Sequence, residues 1–296
     1  GVSLHSNGRV ALINISDFGF SGKIPAAIGQ LTELTELYLG THNDRNQNDF
    51  VDQDPTIAPG AGSRDRLERH KQYLAMKYPA TPFSEPIARA LKEHNISVRG
   101  IEMYETMTEA QIIDSNSGAA KIQPKDVVHG KLYNGLTEID PAIWRLNKLE
   151  KLNIANGKLK AFPERPDDIL PQDGLKALTD LELYNCSYME KFPDVVTTMP
   201  SLVSLNISNN KQWSSEDINN GLKLLADGNS GAKLQILYMN ENRLTVVDGN
   251  DIAKMKSLGL LDLADNEIET VTPFGKDINI VQLYLDNNRI TELKRG

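Results

Sequence analysis

The chain has few of the residues that build disulfide frameworks, metal centres or membrane spans. Its 296 residues include one cysteine, which excludes an internal disulfide and a cysteine-based zinc cluster. No run of roughly eighteen apolar residues occurs, so the sequence predicts no transmembrane segment. The formal net charge is −8, whereas nucleic-acid binding requires clustered Lys and Arg. We therefore expect no nucleic-acid partner.

Signatures of common enzyme classes are also missing. The histidines show no metal-binding spacing; they are His5, His42, His70, His94 and His129. The sequence has no Gly-x-Ser-x-Gly elbow, no P-loop and no dinucleotide-binding fingerprint. We expect no catalytic residue, no metal and no cofactor. An enzyme whose site lies in the irregular middle segment is the alternative.

A spaced pattern of leucine, isoleucine and asparagine fills most of the chain. Residues 258–268 follow L-x-x-L-x-L-x-x-N-x-I, and residues 280–290 repeat this spacing with isoleucine at the first position. Alternate residues of a strand point to opposite faces, so Leu261 and Leu263 would enter a shared core while Asp262 faces out. One such coil cannot bury its own apolar side, and the pattern therefore predicts a stack of coils.

This spacing resembles the leucine-rich repeat. Residues 20–31, FSGKIPAAIGQL, resemble the plant-receptor variant, Leu-Ser-Gly-x-Ile-Pro-x-x-Leu-Gly-x-Leu, which also occurs in bacterial surface proteins. The resemblance implies an α/β solenoid with a curved parallel sheet on its concave face. It also implies a non-catalytic recognition or protein-interaction scaffold that is secreted or lies at the bacterial cell surface.

Sliding the pattern along the sequence divides the chain into three parts. Strand regions start at Val10, Leu34, Leu149, Leu178, Leu202, Leu234, Leu258 and Ile280. We predict N-terminal repeats over 1–42, a non-repeat insert over 43–125 and C-terminal repeats over 126–296. The last coil has no polar cap, so we expect the native chain to continue beyond Gly296 or another surface to cover that end.

The insert predicts a small α+β element, because so long a connection needs structure of its own. An acidic loop comes first, and capping residues then predict helices after Ser63, Ser84 and Thr108. The alternation over residues 96–103 predicts a strand between the second and third helices. We expect the insert to pack on a flank of the stack and to add no coil to it.

One position at the end of each strand is expected to be structural. It is occupied by Cys186, Asn210, Asn242, Asn266 and Asn288. An inward amide there would bond backbone groups of adjacent coils, which cost roughly 1–3 kcal/mol each when buried without a partner. We interpret Cys186 as a small core residue, and a catalytic thiol is the alternative.

The outward strand positions form the candidate ligand-binding face. Its members are Tyr38, Asn153, Asp180, Glu182, Tyr184, Asn206, Tyr238, Asn240, Asp262, Tyr284 and Asp286. Tyrosine gives a large contact area, while Asn and Asp give hydrogen bonds. This composition predicts a protein or peptide partner, with basic or hydroxyl-rich groups opposite Asp180 and Glu182. A glycan stacked on the tyrosines is one alternative, and an ordinary solvated face is another.

Overall fold

The computed structural model describes residues 2–15, 21–40, 96–97, 113–114, 127–128, 131–132, 135–155 and 157–291. The chain divides into two units. The larger unit is Gly1–Asn14, Ser21–Leu39 and Leu136–Gly296, and it carries all the repeats described below. The second unit is Ile15–Phe20 and Gly40–Gly135.

The described residues form short strands. In chain order they are β1 (Val2–Leu4), β2 (Val10–Asn14), β3 (Ser21–Ile24), β4 (Glu36–Tyr38), β5 (Ile96–Ser97), β6 (Ile113–Asp114), β7 (Val127–Val128), β8 (Lys131–Leu132), β9 (Gly135–Ile139), β10 (Lys151–Asn153), β11 (Asp180–Glu182), β12 (Ser204–Asn206), β13 (Ile236–Tyr238), β14 (Val246–Val247), β15 (Leu260–Asp262), β16 (Thr270–Val271) and β17 (Gln282–Tyr284). Within the described ranges, nine of them form one sheet in the order β1-β2-β4-β10-β11-β12-β13-β15-β17.

The main sheet is parallel from β2 to β17, and only β1 pairs with its neighbour in the antiparallel direction. The middle residue of each central strand is a leucine that is at most 1% exposed: Leu37, Leu152, Leu181, Leu205, Leu237 and Leu261. Stacking these leucines in register builds a core that lengthens with every coil. The prediction of an α/β repeat solenoid with a parallel sheet is confirmed.

The backs of the coils carry short helices. In the part of the chain that the structure describes, 3₁₀ helices span Ala26–Gln30, Pro141–Arg145 and Asp194–Thr198, and the α-helices are α1 (Ser215–Asp227) and α2 (Gly249–Lys254). Helix α1 begins after Ser214, whose hydroxyl accepts a hydrogen bond from the Asp217 N–H at 3.1 Å. Its apolar face, including Ile218 and Leu225, is buried.

The sequence interruption falls inside the second coil and not after it. Strand β4 pairs directly with β10, so the main sheet passes from before the insert to after it without an added strand. Strand β9 pairs with β3, and the Pro141–Arg145 helix packs on the Ala26–Gln30 helix. The segment after the insert therefore completes the back of the coil that β4 begins. The β9 region departs from the leucine template, so the repeat pattern alone does not assign it to a coil.

The described part of the insert is one antiparallel pair, β5 with β6, and a second antiparallel pair, β7 with β8, follows just after residue 125. Strand β5 lies within the alternation that predicts a strand over 96–103. The helices predicted after Ser63, Ser84 and Thr108 lie outside the described residues. The boundaries 43 and 125 and the packing of the insert on a flank of the stack stay predictions.

Candidate ligand-binding face

The asparagines at the strand ends form a ladder that ties each coil to the one before it. The Asn210 Oδ1 accepts a hydrogen bond from the Cys186 N–H at 2.9 Å, and its Nδ2 donates to the Leu183 carbonyl at 3.0 Å. The same two bonds recur one coil on, where Asn242 accepts from the Asn210 N–H and donates to the Ile207 carbonyl. The amides thus satisfy backbone groups that the turn would otherwise leave unpaired.

The rest of the ladder follows the same rule. The Asn266 amide bridges the Leu244 N–H and the Met239 carbonyl, and Asn288 does so for the next coil. Asn242 and Asn266 are buried, as predicted. The prediction of full burial is wrong for Asn288, which is only partly buried. Its strand, β17, is the last in the sheet among the described residues, so no further strand there covers it.

A left-handed residue precedes every ladder position from Cys186 onward. These residues have φ between 49° and 57°, and they are Asn185, Asn209, Glu241, Asp265 and Asn287. Four of the five are Asn or Asp, the residue types that tolerate this conformation best. The N–H groups of the first four bond to carbonyl groups of the next coil, for example from Asn209 to the Asn240 carbonyl at 3.0 Å. Turn and ladder together fix where each strand ends.

Cys186 takes the ladder position of its coil as a core residue. It is fully buried, and its Sγ donates to the Ile154 carbonyl at 3.4 Å. Burial raises the pKa of the thiol to about 12, and the Glu182 carboxylate adds to the shift. A thiol that stays protonated at neutral pH is a poor nucleophile. The geometry favours the structural interpretation over the catalytic one.

We expect a thiol reagent such as dithionitrobenzoate to leave Cys186 unmodified in the native protein at about pH 8, where a free cysteine reacts readily. In urea the same thiol should react with one equivalent. The ratio of the two rates is the measurement, with an unfolded sample as the control. Rapid labelling of the native protein would contradict the burial of this residue.

The outward strand residues lie in register across the sheet. Pairing aligns Asn14, Tyr38, Asn153, Glu182, Asn206, Tyr238, Asp262 and Tyr284 as one row. In this row a short Asn or Asp alternates with a large Tyr or Glu from coil to coil. Each short side chain from Asn153 onward therefore has a large neighbour on both sides in the row. We call this set the outer row.

The short residues of the outer row are buried and hold the backbone. Asn153 and Asp262 are 6% exposed and Asn206 is 0% exposed. Each accepts a hydrogen bond from the N–H two residues further on, at 3.0–3.1 Å. The expectation that Asp262 faces solvent is therefore wrong. Since the single-strand pattern ignores neighbouring strands, it does not reveal this cover.

The large residues of the outer row remain accessible. Tyr38, Glu182 and Tyr238 are partly exposed, and Tyr284 is 38% exposed. They project over the buried short residues at every second strand. A partner that approaches the face would meet these four side chains first.

A second outward row lies two positions past the end of each strand. Tyr184 is partly exposed, and its hydroxyl accepts a long hydrogen bond from the Asn209 Nδ2 at 3.5 Å. Asn240 is fully buried, and its Oδ1 accepts a hydrogen bond from the Ser208 Oγ at 2.5 Å. Asp286 is exposed. Of these three predicted site residues, Tyr184 and Asp286 are available to a ligand.

Acidic side chains surround the first half of the face. Sequence reasoning missed Glu36 and Lys151, which precede outer-row residues by two positions and lie beside Asp180 in the register. The Tyr38 hydroxyl donates to the Glu36 Oε2 at 2.6 Å. Burial, followed by the Glu36 hydrogen bond and the charges of Glu36 and Asp180, raises the pKa of Tyr38. The two-residue spacing in a strand is the signal that would have found Glu36.

The described residues contain no group of three or more His, Cys, Asp or Glu that could hold a metal ion. No described helix is long and apolar enough to cross a membrane. Short strands in register, an asparagine ladder and a left-handed turn in each coil define a leucine-rich repeat solenoid.

Comparisons with known proteins agree with this class. No known family profile matches the chain. In sequence it is similar to receptor-like protein 39 of Arabidopsis thaliana, with 24% identity over 279 residues, 90% of this chain and 29% of that protein. It is also similar to podocan-like protein 1 of Homo sapiens, with 26% identity over 200 residues, 56% of this chain and 39% of that protein. The chain thus spans less than half the length of these relatives.

Two solved structures match almost the whole chain at 26% identity. A leucine-rich repeat protein from Bacteroides eggerthii has a TM-score of 0.61 and aligns with 98% of this chain and 49% of its own. Another from Bacteroides thetaiotaomicron has a TM-score of 0.63 and aligns with 99% of this chain and 38% of its own. The chain is a leucine-rich repeat protein.

Proposed function

We propose that the protein is a non-catalytic recognition scaffold whose strand face binds a protein or peptide partner. The observation that carries the proposal is the outer row, in which Tyr38, Glu182, Tyr238 and Tyr284 project from strands in register. Tyrosine is enriched at binding hot spots because it buries a large area and loses little side-chain entropy.

Preorganisation supports the same proposal. Binding costs free energy when side chains and loops must be ordered, and a backbone that is already fixed avoids part of that cost. Here the buried Asn153, Asn206 and Asp262 hold the backbone under the projecting residues. The asparagine ladder fixes the turns behind them. A face built in this way suits binding better than a loop would.

We further propose that the protein works outside the cell or at the bacterial cell surface. The FSGKIPAAIGQL segment and the similarity to Bacteroides repeat proteins support this location. Treating intact cells of the source organism with an external protease tests it. Loss of the protein while a cytoplasmic control protein survives is the expected result, and complete protection would contradict the proposal.

The proposed face predicts the result of a double substitution. With the protein immobilised, Tyr238→Ala/Tyr284→Ala should weaken retention of a partner from the source organism's surface extract by at least about 30-fold, since one aromatic anchor commonly contributes about 2 kcal/mol. The thermal midpoint should stay nearly unchanged, because both rings lie on the outside of the sheet. Titration of the captured partner against parent and variant is the measurement.

Leu170→Ala/Val246→Ala is the matched control. Both side chains are apolar and exposed, at 56% and 45%, and neither belongs to the main sheet. This control should bind as the parent does. Equal binding by the tyrosine variant would show that the partner uses another surface. A glycan array run with the same three proteins separates the alternatives, because retention of sugars instead of proteins would favour the glycan ligand.

A further inference from the structure

The outer row has a two-coil period, and this period sets the shape of a ligand. The projecting residues Tyr38, Glu182, Tyr238 and Tyr284 stand two strands apart, with a buried Asn or Asp between each pair. Strands lie about 4.8 Å apart, so the projecting side chains recur roughly every 9.6 Å. From Tyr38 to Tyr284 there are six strand spacings, or about 29 Å.

Few polymer conformations present a side chain on one side at this interval. A β-strand does so roughly every 6.7 Å, because its side chains alternate. An α-helix returns to the same face after seven residues, about 10.5 Å, and would drift to about 32 Å over three such steps. A polyproline II helix has three residues per turn and a rise of about 3.1 Å, which gives about 9.3 Å per turn and about 28 Å over three turns.

We propose that the outer row takes a peptide segment in the polyproline II conformation, with proline or another apolar residue at every third position and a Lys or Arg opposite Glu182. The inference rests on the proposed function and names the ligand class of the same face. Tyr38, Tyr238 and Tyr284 supply the aromatic surfaces on which such segments dock in other recognition modules.

Charge on the face selects a basic segment. Lys151 on β10 pairs in register with Glu36 on β4 and with Asp180 on β11, and Glu182 follows Asp180 by two positions. Two carboxylates therefore flank one ammonium in these paired positions, and after burial the charges of Glu36 and Asp180 contribute to the raised pKa of the Tyr38 hydroxyl. A Lys or Arg on the peptide would complement this charge.

A buried hydrogen-bond donor in the outer row also supports a polyproline II ligand. The Asn206 Nδ2 has no acceptor among the described residues, although its Oδ1 is held by the Ser208 N–H. Asn206 lies between Glu182 and Tyr238 in the outer row. The carbonyl groups of a polyproline II segment make no internal hydrogen bonds and so are available to accept one. Because Asn206 is 0% exposed, a carbonyl of the bound segment would reach this donor only after neighbouring side chains move aside.

A designed peptide tests the inference. The probe is a blocked peptide with one arginine between two runs of seven prolines, which reaches roughly 22 Å to either side at about 3.1 Å per residue. It therefore spans the row in either chain direction. We expect it to bind the parent protein, and replacing its arginine by glutamate should weaken binding at least tenfold. Replacing its prolines by glycine and serine should also weaken binding at least tenfold.

Variants of the protein locate the contact. Glu182→Gln should remove most of the preference for arginine over glutamate in the peptide, while Glu190→Gln, an exposed carboxyl group outside the main sheet, should not. Asp180→Asn should weaken the same preference. It replaces Glu182→Gln as the test variant if Glu182→Gln lowers the thermal midpoint. Raising the salt concentration should weaken binding of the arginine peptide and leave binding of an all-proline peptide nearly unchanged.

Two results would overturn the inference and leave the proposed function intact. One is equal binding of the proline and glycine–serine peptides. The other is no binding of any peptide while a captured partner still depends on Tyr238 and Tyr284. In both cases the face binds a partner of another shape, such as a folded protein. If a captured partner instead binds the Tyr238→Ala/Tyr284→Ala variant as well as it binds the parent, the proposed function itself is wrong.

Discussion

Replacing Asn210 by alanine is expected to lower the free energy of unfolding by roughly 3 kcal/mol, because it leaves several buried backbone groups without partners. The Asn210 side chain is 0% exposed and holds the Cys186 N–H together with the Leu183 and Ile207 carbonyls. Urea titration followed by circular dichroism and by fluorescence measures the change. Coincident curves are needed, because long repeat arrays can lose two-state behaviour.

Two further variants separate the cause from a general effect of mutation. Asn220→Ala lies on the exposed side of α1 and should change stability by no more than about 0.5 kcal/mol. Asn210→Asp keeps the acceptor for the Cys186 N–H but loses the donors, so its cost should come from the stranded carbonyls and the buried charge. A loss below about 0.5 kcal/mol for Asn210→Ala would count against the ladder as a source of stability.

Trp213→Ala is expected to cost about 3–5 kcal/mol, the range for deleting a buried aromatic side chain. Trp213 is 0% exposed, meets the Phe192 ring edge-on at 5.5 Å, and donates from Nε1 to the Met189 carbonyl at 3.0 Å. Deleting the indole leaves a cavity between α1 and the neighbouring coil. The unfolding midpoint in urea measures the loss, and Trp144 remains as the fluorescent reporter.

Trp213→Phe tests whether the loss comes from volume or from the hydrogen bond. The Met189 carbonyl also accepts from the Gln212 Nε2 at 3.0 Å, so it stays bonded when the indole is removed. The phenylalanine variant should therefore cost no more than about 2 kcal/mol, as swaps that keep most of the volume do. Equal losses for Phe and Ala would show that the Nε1 bond matters more than packing.

The repeat spacing could be predicted from the sequence because it is a local property. Leu261, Leu263 and Asn266 specify strand, core and turn within one coil, and stacking repeats the result. The ladder follows from the same spacing, since an amide at the turn has few partners other than the backbone of adjacent coils. The outward row follows too, because side chains in a strand alternate between its two faces.

The exposure of that row could not be predicted from one strand at a time. Asn153, Asn206 and Asp262 are polar residue types that solvated strands also carry, yet each is at most 6% exposed in the folded chain. Burial at such a position depends on what packs against it from parts of the chain that are far away in sequence. The sequence also could not predict which coil the segment after the insert completes, because only the pairing of β9 with β3 shows it.

The sequence alone determined that this chain stacks coils, which residues fill their core, and where each coil turns, since these depend on periodicity within a few residues. Tertiary structure decided which outward side chains a partner can reach. It placed large residues over small ones at every second strand, and it joined β4 directly to β10 across the insert. Contacts between coils are non-local, so no pattern within a single coil contains them.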